Sequence, residues 1–241
     1  GQRHVIRAPG GAAARRNAAL DWLGGRYDII VFYGEDFVPA RTSIVGIERF
    51  FRTHPEIAGA TGLILAADAD GGGLPAEAAE AVLERHESHE STPNCVVASQ
   101  ASIDVGNMAW RASAIGNARF DARLTVEAWR EDLDFPARMR GRGRIVHTFA
   151  FAGVRVAGPE HEQCQRRLGH AQVINAAYLA HKGTIGLAQA GGMILGALFG
   201  NHAGMVRHPG QSALRDRVRG NWLGLYDLAR GRLSPDRRER F

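Results

Sequence analysis

With 241 residues, 45% of them hydrophobic and 23% charged, the chain reads as a globular protein able to bury one sizeable core. Cys95 and Cys164 lie far apart and form no CxxC pair, so neither a disulfide framework nor a zinc knuckle is implied, and a reducing, cytoplasmic setting fits. The formal charge of +5 is local: between positions 207 and 241, nine arginines stand against Asp216, Asp227, Asp236 and Glu239. The body is therefore neutral, which argues against a nucleic-acid reader and for an anionic surface, a phosphate-bearing lipid or a partner, with a solvated helix face as the plain alternative.

Strand and helix signals alternate through the first two thirds, the pattern of an α/β sandwich. Residues 4–7 read as a short strand, Pro9-Gly10-Gly11 as a break, and residues 12–23 as a helix ended by Gly24-Gly25. Residues 28–33 form a continuous β-branched and aromatic run, expected to be a central strand covered on both faces in a mostly parallel sheet. Glu35 and Asp36 follow it directly, and Pro39 is expected to open a helix carrying Ile44, Ile47, Phe50 and Phe51. Acids at the C-terminal end of a strand stand where ligands of open α/β sheets gather.

Next come a strand at 57–66, a loop at 68–73, a helix at 75–89 and a loop at 91–94. Residues 105–111 look extended, 119–124 make a short connection, and Glu131-Asp132-Leu133-Asp134 starts a helix running toward Arg142. Pro136 is expected within that helix's first turn, which puts the acids at the N-terminus, where the dipole favours ionised carboxylates. Residues 144–149 return as a strand and 161–181 as a helix. Residues 184–206 contain no Asp, Glu, Lys or Arg but recurrent Gly, a poor fit to the roughly 20 apolar residues of a spanning helix, so an interfacial or buried segment is expected. Residues 212–230 form an amphipathic helix with Leu214, Val218, Trp222, Leu225 and Leu228 near one face and arginines beside it. Peripheral contact with a membrane surface follows as an expectation, placed at the inner face for a cytoplasmic chain.

Four stretches taken together carry a resemblance. Ala14-Arg15-Arg16-Asn17, Gly34-Glu35-Asp36 with Pro39, Gly106-Asn107-Met108-Ala109-Trp110-Arg111, and Glu131-Asp132-Leu133-Asp134 with Arg138 resemble, in order, the motifs of family 2 glycosyltransferases across residues 1–182. The resemblance implies an α/β fold of the GT-A type: a Rossmann-like mixed sheet flanked by helices, as in nucleotide-diphospho-sugar transferases. It covers residues 1–182, with 183–241 an apolar, amphipathic and basic helical extension. It also implies that the first β-α-β part of the family, which grips the donor's base and ribose, is missing ahead of His4, so that the chain is N-terminally incomplete.

The implied activity is hexosyltransferase-like: transfer of a sugar from a nucleotide-sugar donor to an acceptor hydroxyl, with inversion, on a glycan or lipid-linked acceptor of the cell envelope. Asp132 matches the family's general base, with Glu131 beside it, since a hydroxyl is a poor nucleophile until a base takes its proton. Asp36, supported by Glu35, matches the acid that holds a divalent cation, Mn²⁺ or Mg²⁺, against the donor diphosphate. The sequence departs from the pattern at Gly34, where the family usually has its first Asp. Arg16 and Asn17 match the pair that contacts the nucleotide or braces the metal loop. Asn107 and Trp110 match the sugar and acceptor pocket, although core packing explains Trp110 equally well. Asp134 is assigned to that pocket, and with Arg138 to orienting the helix or meeting donor phosphates, with a surface ion pair between the two as the plain alternative. His147 and His161 are candidates for a further metal ligand and His86 with His89 for a helical pair, but structural roles explain all four as well. Two rivals remain open: a degenerate, noncatalytic GT-A module that binds a glycan, lipid or partner, and nucleotidyl transfer on a related fold.

Overall fold

The computed structural model describes residues 3–66, 73–88, 94–99, 102–124, 130–157 and 165–235. In chain order the elements are α1 (Ala12–Leu23), β1 (Ile29–Tyr33), β2 (Phe37–Pro39), α2 (Ser43–Thr53), β3 (Ile57–Ile64), α3 (Ala76–Glu87), β4 (Val96–Ser99), β5 (Asn107–Arg111), α4 (Ala112–Ile115), α5 (Glu131–Arg138), β6 (Arg144–Arg155), α6 (Gln165–His181), α7 (Leu187–Arg207) and α8 (Ser212–Ala229). The protein is α/β with one mixed sheet ordered β1-β5-β3-β6-β2, and β4 also pairs with β6.

Two compact units divide these elements, one of residues 23–119 and 135–161, the other of residues 1–22, 120–134 and 162–241. The first holds the sheet. Its core joins Ile47, Phe50 and Phe51 of α2 to Ile57, Ala60, Ala109, Val146 and Phe151 of the strands. Close approach is built in: a Cβ on Gly46 would collide with the Ala150 carbonyl, so α2 lies directly on β6. The second unit is helical. Leu124 joins Ala176, Leu179, Ile185 and Ala190 in its core, with Leu133 packed against them. Helices α6 and α8 approach so closely that a Cβ on Gly220 would strike the Arg166 carbonyl and one on Gly169 the Arg217 carbonyl. Asn221 seals that crossing with bonds to the Gly169 carbonyl and, from Asn201 of α7, to its own side-chain oxygen.

Several expectations are corrected. The sheet is mostly antiparallel, with β3 and β6 its one parallel pair among the described strands. Strand β1 lies at the end of the sheet order and, among the described strands, pairs only with β5. Its continuous apolar run is real, for Ile30 and Phe32 are buried while Ile29 and Val31 pack on the α2 core. An unbroken run reports two covered faces and says nothing about the number of strand neighbours. Residues 4–7 are irregular rather than a strand. Pro39 closes β2 instead of opening a helix, and α2 begins four residues later. Pro136 falls at the sixth residue of α5, beyond the first turn. Lacking an N–H, it cannot bond the Asp132 carbonyl, and this eight-residue helix ends soon after. Strand β6 runs six residues further than expected, to Arg155, and β4 carries a pairing that the sequence reading left as unassigned chain.

Candidate functional site

In the sheet unit, the end of β1 and the end of β6 point the same way. Strand β5 is antiparallel to both β1 and β3, and β6 is parallel to β3, so the chain after Tyr33, the chain before Asn107 and the end of β6 share one edge. That topology brings Asp36, Asp104 and Arg155 together. Arg155 Nη2 donates to both Asp104 oxygens, at 2.9 and 2.8 Å, and its Nη1 lies 3.6 Å from Asp36 Oδ2. Burial alone would lower the Arg155 pKa, but the two carboxylates outweigh it and raise it, so the guanidinium stays charged. Glu35 is exposed and Asp36 half-buried. Gly34 donates its N–H to the Gly106 carbonyl, and a Cβ at position 34 would come within 2.6 Å of Asp36 Oδ1. The departure at Gly34 is therefore coupled to the placement of Asp36: the missing side chain leaves room for the carboxylate to lie over that backbone.

Asn107 and Trp110 stand on opposite faces of β5 in the same unit, both fully buried. Trp110 packs flat on Gly59 and edge-on to Phe135, with ring centroids 5.1 Å apart. Among the described residues neither side-chain polar atom of Asn107 has a partner, nor does the Trp110 Nε1 or the Tyr33 hydroxyl, which is pushed up to a pKa of about 12 by burial. Tyr33 pairs directly with Asn107 across β1 and β5, so two of these orphaned polar groups share one face. Each unmet group costs about 1–3 kcal/mol.

In the helical unit, the first turn of α5 carries three acids in three different settings. Glu131 is fully buried, and its Oε2 accepts from Arg16 Nη1 at 2.6 Å. Burial pushes its pKa up, Arg16 opposes that, and the neighbouring Asp134 and Asp132 add to the rise. Asp134 is buried too, accepting from Lys182 Nζ at 2.6 Å and from the Thr184 hydroxyl at 2.9 Å. This replaces the surface pair with Arg138, because α5 turns Asp134 inward to the chain's single lysine. Asp132 lies between them, half-buried. Arg130, just before them, has a φ of +72°, a left-handed conformation that costs a non-glycine residue about 1–3 kcal/mol. Its carbonyl accepts from the backbone N–H groups of Leu133 and Asp134.

Arg16 and Asn17 both serve this unit. Asn17 clasps the Phe120 backbone at both its N–H and its carbonyl, and Arg16 binds Glu131. The residues matched to the metal acid and to the base thus belong to different units. Reading the motifs missed Asp104, Arg155, Asp121, Tyr178 and Lys182. Lys182 alone carried a signal, as a lone lysine among arginines, and it bridges Asp134 and Asp121. His147 is half-buried in β6 and meets Phe149 edge-on, and His86 lies in α3. His89 and His161 lie outside the described residues.

The sheet-edge acids offer hard carboxylate oxygens, the donors Mg²⁺ and Mn²⁺ prefer. Two carboxylates, Asp36 and Asp104, face one guanidinium, with the exposed Glu35 next to Asp36 in sequence. Among the described residues no group of three or more His, Cys, Asp or Glu side chains forms an all-protein metal cage. Magnesium is more often held by one or two carboxylates plus substrate phosphates, and Asp36 with Glu35 fits that kind of site. No protein-family model matches this sequence and no curated protein matches it.

Proposed function

We propose that the chain is the core of a GT-A-type, family 2-like glycosyltransferase, which moves a sugar from a nucleotide-sugar to a hydroxyl of a glycan or lipid-linked acceptor, with inversion. One observation carries the reading: of the three acids on the first turn of α5, Glu131 and Asp134 are buried and each held by its own cation, while Asp132 between them is half-buried. Two locked neighbours fix the helix turn that carries Asp132.

In this reading Asp132 takes the proton of the acceptor hydroxyl as its oxygen attacks the anomeric carbon. Arg16 and Lys182 position α5 by neutralising Glu131 and Asp134. Asp36 and Glu35 would hold a divalent cation, which supplies Lewis-acid stabilisation of the diphosphate charge.

The test is a panel of nucleotide-sugars with glycan and polyprenyl-phosphate acceptors, followed by release of nucleoside diphosphate. The expected result is turnover that falls about 10²–10⁴-fold in Asp132→Asn with an unchanged circular dichroism spectrum. Release of pyrophosphate would assign nucleotidyl transfer instead. The noncatalytic reading has its own support, since Arg155 already faces Asp36, and donor binding without any turnover would establish it.

A further inference from the structure

Helix α7 carries no Asp, Glu, Lys or Arg between Leu187 and Val206, yet much of one side of it is bare. Leu187 is 82% exposed, Leu195 67%, Phe199 76% and Val206 75%. Between them Gly192, Gly196 and Gly200 have nothing within 4 Å of a would-be Cβ, so none of the described residues covers that strip. The opposite side is engaged: Ala190 is buried in the helical core, and Asn201 bonds Gln172 and Asn221. At about 1.5 Å per residue the strip is roughly 30 Å long. Surface that apolar on a helix otherwise free of charge is too extensive for scattered exposed residues.

Helix α8 extends the strip and gives it a rim. His202 of α7 meets Trp222 of α8 edge-on, ring centroids 6.0 Å apart. Trp222 is 60% exposed and shares its face, at helical spacing, with the exposed Arg215, Arg219 and Tyr226. The Arg230 guanidinium lies over the Tyr226 ring, and exposed Arg207 follows Val206 directly. Aromatic rings and arginines sharing one helix face beside an apolar strip are the arrangement of a helix pair seated at a headgroup boundary. The two acids of α8 offer the arginines little complement, for Asp227 is buried and Asp216 is bonded to Arg219. A second copy docking on this face would therefore bring arginine rim toward arginine rim, whereas an anionic bilayer supplies the missing charge. No helix among the described residues is long and apolar enough to cross a membrane, so the strip would lie on the bilayer.

We propose that the exposed face of α7, with Trp222 and Tyr226 of α8 and the arginines around them, is a docking surface for an anionic lipid bilayer. The surface acts through partition of Leu195, Phe199 and Trp222 into the headgroup boundary, with the arginines selecting anionic lipid. The sequence pattern predicts an interfacial or buried segment over 184–206 and an amphipathic helix over 212–230, and the larger exposed apolar surface belongs to α7. This stands on the two helices and is independent of the sugar-transfer reading.

The experiment is co-sedimentation of the full chain with vesicles of pure phosphatidylcholine and of phosphatidylcholine mixed with phosphatidylglycerol, beside light scattering of the free protein. Expected are binding to the anionic vesicles that weakens with salt, little to the neutral ones, and a drop of roughly tenfold or more in Leu195→Asp/Phe199→Asp. Arg215→Gln/Arg219→Gln, which leaves the apolar strip intact, is expected to lose the preference for anionic lipid. The proposal is overturned by equal binding to both vesicles, by binding to neither, or by a concentration-dependent dimer that Leu195→Asp/Phe199→Asp makes monomeric.

Discussion

The acids of the sheet edge and the acids of α5 are the same residue types in opposite physical states. Asp36 is half-buried and faces Arg155 at 3.6 Å, a guanidinium that makes its own short bonds to Asp104. Glu131 and Asp134 are sealed in, each within 2.6 Å of a cation. A loosely held carboxylate can change partners when a ligand arrives, whereas a buried pair can only hold its element in place. The first cluster therefore suits ligand exchange, and the second suits positioning of Asp132.

The largest stability effect that tests this contrast belongs to the buried side. Glu131→Ala leaves Arg16 without its carboxylate, and breaking a buried pair in this way costs about 3–5 kcal/mol, to be read from urea unfolding. A loss under 1 kcal/mol would place Glu131 with the adaptable acids. A smaller effect is expected at Asp121. Burial pushes its carboxyl up, but hydrogen bonds from Lys182 and Tyr178 outweigh that and bring it below the usual range. A lowered pKa adds stability above the unfolded value of about 3.9 and loses it as pH falls through the folded one. Asp121→Asn should therefore be less stable than the native chain at neutral pH and converge with it in acid. Parallel acid-unfolding curves would remove the ion pairs of Lys182 from the account.

The smallest change in stability is expected at the sheet edge. Arg155→Gln removes a partly exposed guanidinium, worth about 1 kcal/mol or less. Its informative readout is Mn²⁺ binding by electron paramagnetic resonance, which should tighten because Arg155 no longer competes for Asp36. Unchanged Mn²⁺ affinity would mean that Arg155 and a metal do not share that carboxylate.

Much of the architecture was legible in local pattern. The runs at β1 and β3, the Ala-rich α3, the Gly24-Gly25 stop after α1 and the amphipathic α8 follow from side-chain spacing and backbone freedom, which neighbours in sequence decide. The acids Glu35, Asp36, Glu131, Asp132 and Asp134 were legible as well, because charge beside a strand end or a helix start is a local feature. Their partners were not. Arg155 lies 51 positions from Asp104, Arg16 lies 115 from Glu131, and Lys182 lies 48 from Asp134, so no spacing rule pairs them. Sheet order and packing bring each cation to its acid. Exposure was decided in the same way: the uncharged segment ahead of Arg207 is one composition throughout, and only its packing turns Ala190 and Asn201 inward while leaving Leu195 and Phe199 bare. The sequence by itself determined which residues could carry charge or apolar surface. The tertiary structure decided which of them are locked and which stay available, because burial and partner choice are set by contacts between segments remote along the chain.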